Sequence, residues 1–486
     1  MLRPLIERPR RSRASRSRER GVTMALVALA IFSIVAMAGL AVDLGTLYEA
    51  SNEVQRAADA GALAAARMIS ISGVTGDPIN HFSHWQAVCG GLSSPATTAA
   101  IVVVQQNTVG GSAVPKSGIT VSYTTQGGGA TNQDCSGLTA GFGVNPIAIV
   151  QVQQTNLPTY FSRIWGRTGS SVSATAAAEA YDPSGSATYS STGTIAPVQP
   201  RCVKPLIVLN RDPANGIAPN TFVSTTDGSI SNPGVYQSDG GVIGEPLTLN
   251  ADCVPNRLNC RATPAPPHIV DNPPKWNTGL PAGVLEYVPA LVQGAPIAVP
   301  TTCGLSGTYE QAIAGCDQTT AYTCGTPSTT TGATQVDLTV GPVKPNAVNG
   351  DTTTALECLV NNATGRDTIN PGTTTTPVFP FQIQAGDGNP LVQAGVVNAN
   401  DFITTSNSIV TLPLADFTGT AAWTTNQPPV TIVGFLQVFI QGIDNSGNIN
   451  AIVMNVSGCG NGQTTTVSSP PVNGTSPVPV RLITPP

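Results

Sequence analysis

From Val22 to Val42 the chain runs 21 residues without a charge, VTMALVALAIFSIVAMAGLAV. As a helix rising about 1.5 Å per residue, that stretch reaches roughly 31 Å, one hydrocarbon core. The pattern then changes without stopping. Leu40, Leu44, Leu47, Val54, Ala58, Ala62, Ala65 and Ile69 recur at three- and four-residue steps, with one gap at Ser51. Glu49, Glu53, Arg56, Asp59 and Arg67 lie off this stripe. That is one face of an amphipathic helix. Alanine, the best helix former, dominates Ala57 to Ala66, and Gly45 is the one breaker near the junction. The pattern predicts a single helix from Val22 to about Ile69, roughly 70 Å long. Small residues let helices approach closely, so Leu44, Leu47, Val54, Ala58 and Ala62 form the face expected to pack against neighbouring helices.

Downstream the period shortens. A helix is expected from Pro95 to about Asn107, started by proline and stopped by Gly110-Gly111. Strands are expected at Ile119 to Thr124, Ile147 to Gln153 and Val172 to Ala180. Beyond a Ser/Thr/Gly/Pro stretch, further strands fall at Val203 to Leu209, Pro246 to Leu249, Gln335 to Val340, Ile409 to Leu412, Val430 to Ile440 and Ile449 to Val456. The last two flank the turn residues Asp444 to Asn448, a hairpin signal. The expected fold class is α+β: one long transmembrane and amphipathic helix, a small α+β module, then a large mainly-β domain. The expected segments are a basic tail (1–21), a membrane helix (22–42), the helix continuation and small module (43–181), a linker (182–201), a β-rich disulfide-containing domain (202–459) and a Pro/Thr-rich tail (460–486).

Charge sets the orientation. The first twenty residues hold eight arginines and two acids, against a net charge of -5 for the whole chain. Everything after them is therefore acidic overall, and nucleic acid is not an expected partner. Arginines abutting an apolar span place that side in the cytoplasm, with everything after Asp43 outside. Two rival readings exist: Ala36-Met37-Ala38 fits the small-x-small rule of a secretory cleavage site, which would release a soluble domain, and the Arg- and Ser-rich start is like an organelle transit peptide, although those lack such an apolar span. Only 10% of residues are charged, while Gly (50) and Pro (41) are abundant, which suits short strands joined by turns. All ten cysteines follow the apolar span: Cys89, Cys135, Cys202, Cys253, Cys260, Cys303, Cys316, Cys324, Cys358 and Cys459. No C-x-x-C pair occurs, so disulfides in an oxidising compartment are expected rather than a metal site. Cys89 and Cys135 are the only cysteines of the small module and are the one pair expected from position. The other eight leave their connectivity open.

The stretch from Arg20 to Met68 resembles the N-terminal segment of TadE/TadG-like proteins of the Flp (tight-adherence) pilus system. The matching features are Arg20-Gly21, the exit Ala41-Val42-Asp43-Leu44-Gly45, Tyr48, and the block from Gln55 to Ala66. A weaker echo covers Ile147 to Ala180: a strand, a short helix around Tyr160 to Gly166, and an Ala-rich strand from Val172. The resemblance implies a pilin-like small module. It also implies a component of pilus assembly in a bacterial inner membrane, with the lipid bilayer and pilus-assembly or pilin-like proteins as partners. It departs from pilin precursors at Leu26, where those carry glutamate five residues after the cleaved glycine. Some TadG proteins carry a D-x-S-x-S metal site. Asp182-Pro183-Ser184-Gly185-Ser186 fits the letters, but without an apolar strand before it and βα alternation after it the stretch reads as linker.

No catalytic motif follows a strand in the required context. His81 and His84 form H-x-x-H without a second pair, and His268 lies between prolines and an acid, so all three read as surface-loop histidines. Asn362, Asn455 and Asn473 head N-x-S/T triplets. No cofactor, metal, catalytic residue or small-molecule substrate is expected. The expectation is a non-enzymatic, membrane-anchored protein of pilus assembly or surface adhesion. The alternative is a secreted hydrolase or binding module with a cleaved leader.

Overall fold

The computed structural model describes residues 16–76, 82–125, 131–135, 138, 145–166, 168–184, 198–214, 221–226, 228–251, 282–324, 350–373, 375–416, 430–444, 447–459 and 472–485. Helix α1 runs unbroken over Arg16–Ile71. Gly45 does not interrupt it, because a lone glycine inside a helix costs only about 1 kcal/mol against alanine. Among the described residues it is the one helix long and apolar enough to cross a membrane. Its apolar side chains from Val22 to Leu44 are exposed, Leu29 by 63% and Phe32 by 68%. That exposure is consistent with a membrane-anchoring helix.

The chain divides into two compact units: residues 1–58, 104–119 and 151–174, and residues 59–103, 120–150 and 175–486. Residues 59–103 and 120–150 thus group with 175–486 in the second unit. Helices α2 (Phe82–Cys89) and α3 (Pro95–Gln106) are followed by the small hairpin β1 (Thr108–Val109) and β2 (Ser112–Ala113). Strands β3 (Ile119–Thr125), β4 (Pro146–Leu157) and β5 (Ser170–Ala180) come next, close to their expected positions. The short helix expected around Tyr160 is a single 3-10 turn, Ser162–Trp165, closed by Gly166 at φ 81.

The second unit is built on a closed six-stranded barrel. After β6 (Val198–Pro200) its strands are β7 (Leu206–Leu209), β8 (Pro246–Ala251) and β9 (Val284–Pro289). A three-stranded sheet follows: β10 (Thr368–Gly372), β11 (Pro377–Gln384) and β12 (Phe402–Ile403). The barrel closes with β13 (Ile409–Asp416), β14 (Thr431–Ile443) and β15 (Ile449–Gly458), in the order β13-β14-β15-β8-β9-β7. The expected hairpin β14–β15 is its antiparallel spine, while β7 meets β13, and β8 meets β9, in parallel. β14 is buried almost without alternation from Ile432 to Ile440, as expected of a strand covered on both faces. Phe435, Phe439, Leu412, Leu249 and Tyr287 belong to this core.

β16 (Val472–Gly474) pairs with β6, and β17 (Val480–Ile483) pairs with the Ala-rich end of β5. Arg481 binds the buried Glu179 and lies 4.9 Å from the centre of the Tyr181 ring. Among the described residues four disulfides cross-link the second unit: Cys89–Cys135, the pair expected from position, and Cys202–Cys316, Cys303–Cys358 and Cys324–Cys459. Cys253 and Cys260, the strand expected at Gln335 to Val340, His81 and His268 lie outside the described residues.

Candidate membrane-anchoring site

Asp43 is the first charge after the apolar span, and it is 95% buried, being only 5% exposed. Its carboxylate accepts three successive backbone N–H groups at the start of the 3-10 turn: Tyr160 at 3.0 Å, Phe161 at 3.2 Å and Ser162 at 2.7 Å. Consecutive amides pointing one way form a nest for an anion, and charge-assisted bonds are the strong ones. Burial alone would raise the Asp43 carboxyl. The backbone amides of Ser162, Tyr160 and Phe161 and the Ser162 hydroxyl outweigh it and hold the group down to about 2.

Four residues earlier, Gly39 is buried within the otherwise exposed span. A Cβ built there would stand 2.7 Å from Phe161 Cγ and 2.8 Å from its Cβ. The Phe161 ring therefore lies directly on the helix backbone, and only glycine leaves room for it. Nearly three turns beyond Asp43, the Glu53 carboxylate accepts the Gly110 N–H at 2.7 Å, which ties the β1–β2 turn to the helix. Gly110 sits at φ 59, and a Cβ there would meet Leu157 at 2.5 Å. A cavity of about 210 Å³ opens beside these groups, between Leu47, Ala50 and Glu53 of α1 and Leu157, Pro158 and Tyr160.

The residues expected to face neighbouring helices separate here. Leu44 is 57% exposed and Leu47 half-buried, but Val54, Ala58 and Ala62 are fully buried within this chain. The small-residue stripe is thus filled by the protein's own packing, which the helical period could not distinguish from packing against another molecule. Glu53, which lies off that stripe, is a bonded anchor. Its bond to Gly110 spans 57 residues of sequence, and no local pattern announces it.

Other polar clusters among the described residues carry titratable groups. His84 is not a loop histidine: it lies in α2, its ring 5.0 Å from that of Phe379. Its Nε2 is 3.3 Å from Ser238 Oγ and its Nδ1 is 3.7 Å from Asp239 Oδ2. The serine hydroxyl donates to Asp239 at 2.8 Å, so its proton points away from the imidazole, and 3.7 Å is too long for the orienting hydrogen bond of a catalytic triad. Asp182 and Ser184, expected in a linker, are buried. The Asp182 amide donates to Asn145, Ser184 N–H donates to Asp182, and Gly458 N–H donates to Ser184. Burial pushes the Asp182 carboxyl up to about 7 despite the Ser184, Ser457 and Thr75 contacts. Asn455 is likewise buried, donating to Ser70 and bonded to Thr75, so its triplet is not open to glycosylation in the folded chain. A cavity of about 510 Å³ is lined by Arg67, Lys204 and Gln437 among others, with no carboxylate among its described lining residues. Lys204 Nζ donates to the Gly315 carbonyl at 2.6 Å, and burial lowers its ammonium to about 7. Ser406, on the same wall, donates to the Asp367 carboxylate.

Among the described residues, one helix near the N-terminus is long and apolar enough to cross a membrane, which is consistent with single-pass anchoring. Residues 21–68 match the family model described as Flp pilus-assembly TadE/G-like. The match falls wholly within α1 and includes Gly39, Asp43 and Glu53. The chain therefore carries a TadE/G-like segment over roughly a tenth of its length. No curated protein and no solved structure matches the chain.

Proposed function

We propose that the protein is a non-enzymatic component of Flp pilus assembly or pilus-linked surface adhesion, anchored by α1 in the bacterial inner membrane. Its basic N-terminal side faces the cytoplasm and its β-rich body faces outward. The observation that carries this reading is that the TadE/G-like segment is the same stretch that forms the apolar span and, through Asp43, holds the loop beyond it. The body acts by protein–protein contact, and the partners are the bilayer and pilus-assembly or pilin-like proteins. Of the stripe read from sequence, Leu44 keeps the exposure a partner helix requires, whereas Ala58 and Ala62 do not.

The test is deletion of the gene with complementation at matched protein level, scoring surface pili and adhesion. Unchanged pili and adhesion would reject the assembly role. Orientation is tested by adding protease to spheroplasts carrying tags at Met1 or Pro486. The reading expects loss of the second tag and survival of the first. A mature chain beginning at Gly39 would instead favour the secreted alternative.

A further inference from the structure

We propose that the loop from Tyr160 to Gly166 is a second membrane contact, with the Tyr160 and Phe161 side chains entering the lipid interface of the leaflet through which α1 leaves the bilayer. This rests on α1 crossing the membrane and is independent of any role in pilus assembly.

The argument is one of depth. The charge-free span ends at Val42. Gly39 lies three residues inside it, about 4.5 Å deeper along the helix axis. The Phe161 ring is seated on Gly39, so it shares that depth. The amides of Tyr160, Phe161 and Ser162 are bonded to Asp43, one residue past the span, which fixes the loop backbone at the boundary itself. The interfacial layer on each side of a bilayer is roughly 5–7 Å thick, so a loop held at Asp43 lies within it. What the loop presents there suits the place. Tyr160 is 59% exposed and Phe161 37% exposed, alongside Leu40 at 52% and Leu44 at 57% on the helix. Aromatic rings with one apolar face and one polar end concentrate at that level. Arg163 is also exposed on the loop, where a cation meets lipid phosphates. Leaving Phe161 in water beside an apolar span would expose a continuous hydrophobic patch, and the lipid already around the span covers it.

The experiment uses the full chain in phosphatidylethanolamine/phosphatidylglycerol vesicles. Phe161→Trp and Tyr160→Trp each add one indole, read as a difference spectrum against the parent with its four tryptophans. The expected result for Phe161→Trp is added emission that is blue-shifted, lost when the acyl chains are brominated near the headgroup, and untouched by aqueous iodide. Tyr160→Trp, at an exposed position, is the variant that survives if the first disturbs the loop, and it too loses emission to the brominated lipid. Phe32→Trp, in mid-span, is the control for α1 itself. If Phe32→Trp is quenched by brominated lipid while both loop variants respond only to iodide, the loop does not enter the membrane. If neither quencher reaches the loop indoles, a protein surface covers them and the proposal is equally overturned. If Phe32→Trp also escapes the lipid quencher, α1 does not span, and both this inference and the anchoring reading fall, whatever the pilus assay shows.

Discussion

Glu245 gives the sharpest test of the energetics of the barrel unit. It is fully buried beside Asp212, and its Oε1 and Asp212 Oδ1 share the Ala214 N–H at 3.2 and 3.1 Å. Burial first, and then the charge of Asp212, push the Glu245 carboxyl from 4.5 up to about 9. At pH 7 the unfolded chain has released this proton while the folded chain still holds it. Unfolding thus gains free energy for every pH step above 4.5, and stability falls as pH rises from there through about 9. At about 1.4 kcal/mol per unit, the 2.5-unit gap at pH 7 amounts to about 3 kcal/mol. Glu245→Gln keeps the shape, the acceptor for Ala214 and a donor for Asp212, but it has no proton to lose. We expect it to be more stable than the parent by about 3 kcal/mol at pH 7, with the difference shrinking to nothing near pH 4.5. The assay is urea unfolding of the detergent-solubilised full chain with disulfides intact, at half-unit steps from pH 4.5 to 8. A variant with the parent's stability at pH 7, or with the parent's pH dependence, would refute the assignment of a protonated buried Glu245.

Three further outcomes follow from the same structure. Ala58→Leu or Ala62→Leu inserts a side chain into a fully buried site and should cost about 1–3 kcal/mol of stability, seen as lower abundance before any assembly defect at matched level. Cys135→Ser opens the Cys89–Cys135 link, whose separation is 46 residues, and should destabilise by about 4 kcal/mol in the chain-entropy picture; non-reducing peptide mapping that finds either thiol free in the parent would refute the pair. Asp43→Asn replaces an acceptor facing three amides and should speed tryptic cutting at the exposed Arg163, while the parent keeps its loop protected down to the acid range, because a carboxyl held near 2 loses its contribution only as pH falls through that value. Equal cutting rates for parent and variant would show that Asp43 does not hold the loop.

The α1 helix was legible in the sequence because its information is local. An uncharged run of membrane length, a 3.6-residue period and an alanine block each act within a few turns, and the helix came out continuous over Arg16–Ile71. The strands of the β14–β15 hairpin were legible for the same reason, from apolar runs closed by turn residues. Periodicity, however, marks a face without saying what covers it. Ala58 and Ala62 read equally well as an external contact and as core, and only the folded chain shows them buried. Burial at Asp182, Ser184 and Asn455 was hidden in residue types that are usually exposed. Their partners lie as much as 385 residues away, as in the Asn455 bond to Ser70, where a polar group is buried because it is hydrogen-bonded. The closing of the barrel by the parallel pairs β7–β13 and β8–β9 is equally non-local. Sequence alone determined the membrane-length helix, the family resemblance from Arg20 to Met68 and the expectation of disulfides. Tertiary structure decided that Asp43 and Gly39 clasp a loop 117 to 122 residues further on, because a carboxylate finds three amides, and a ring finds a bare backbone, only once the chain has brought them together.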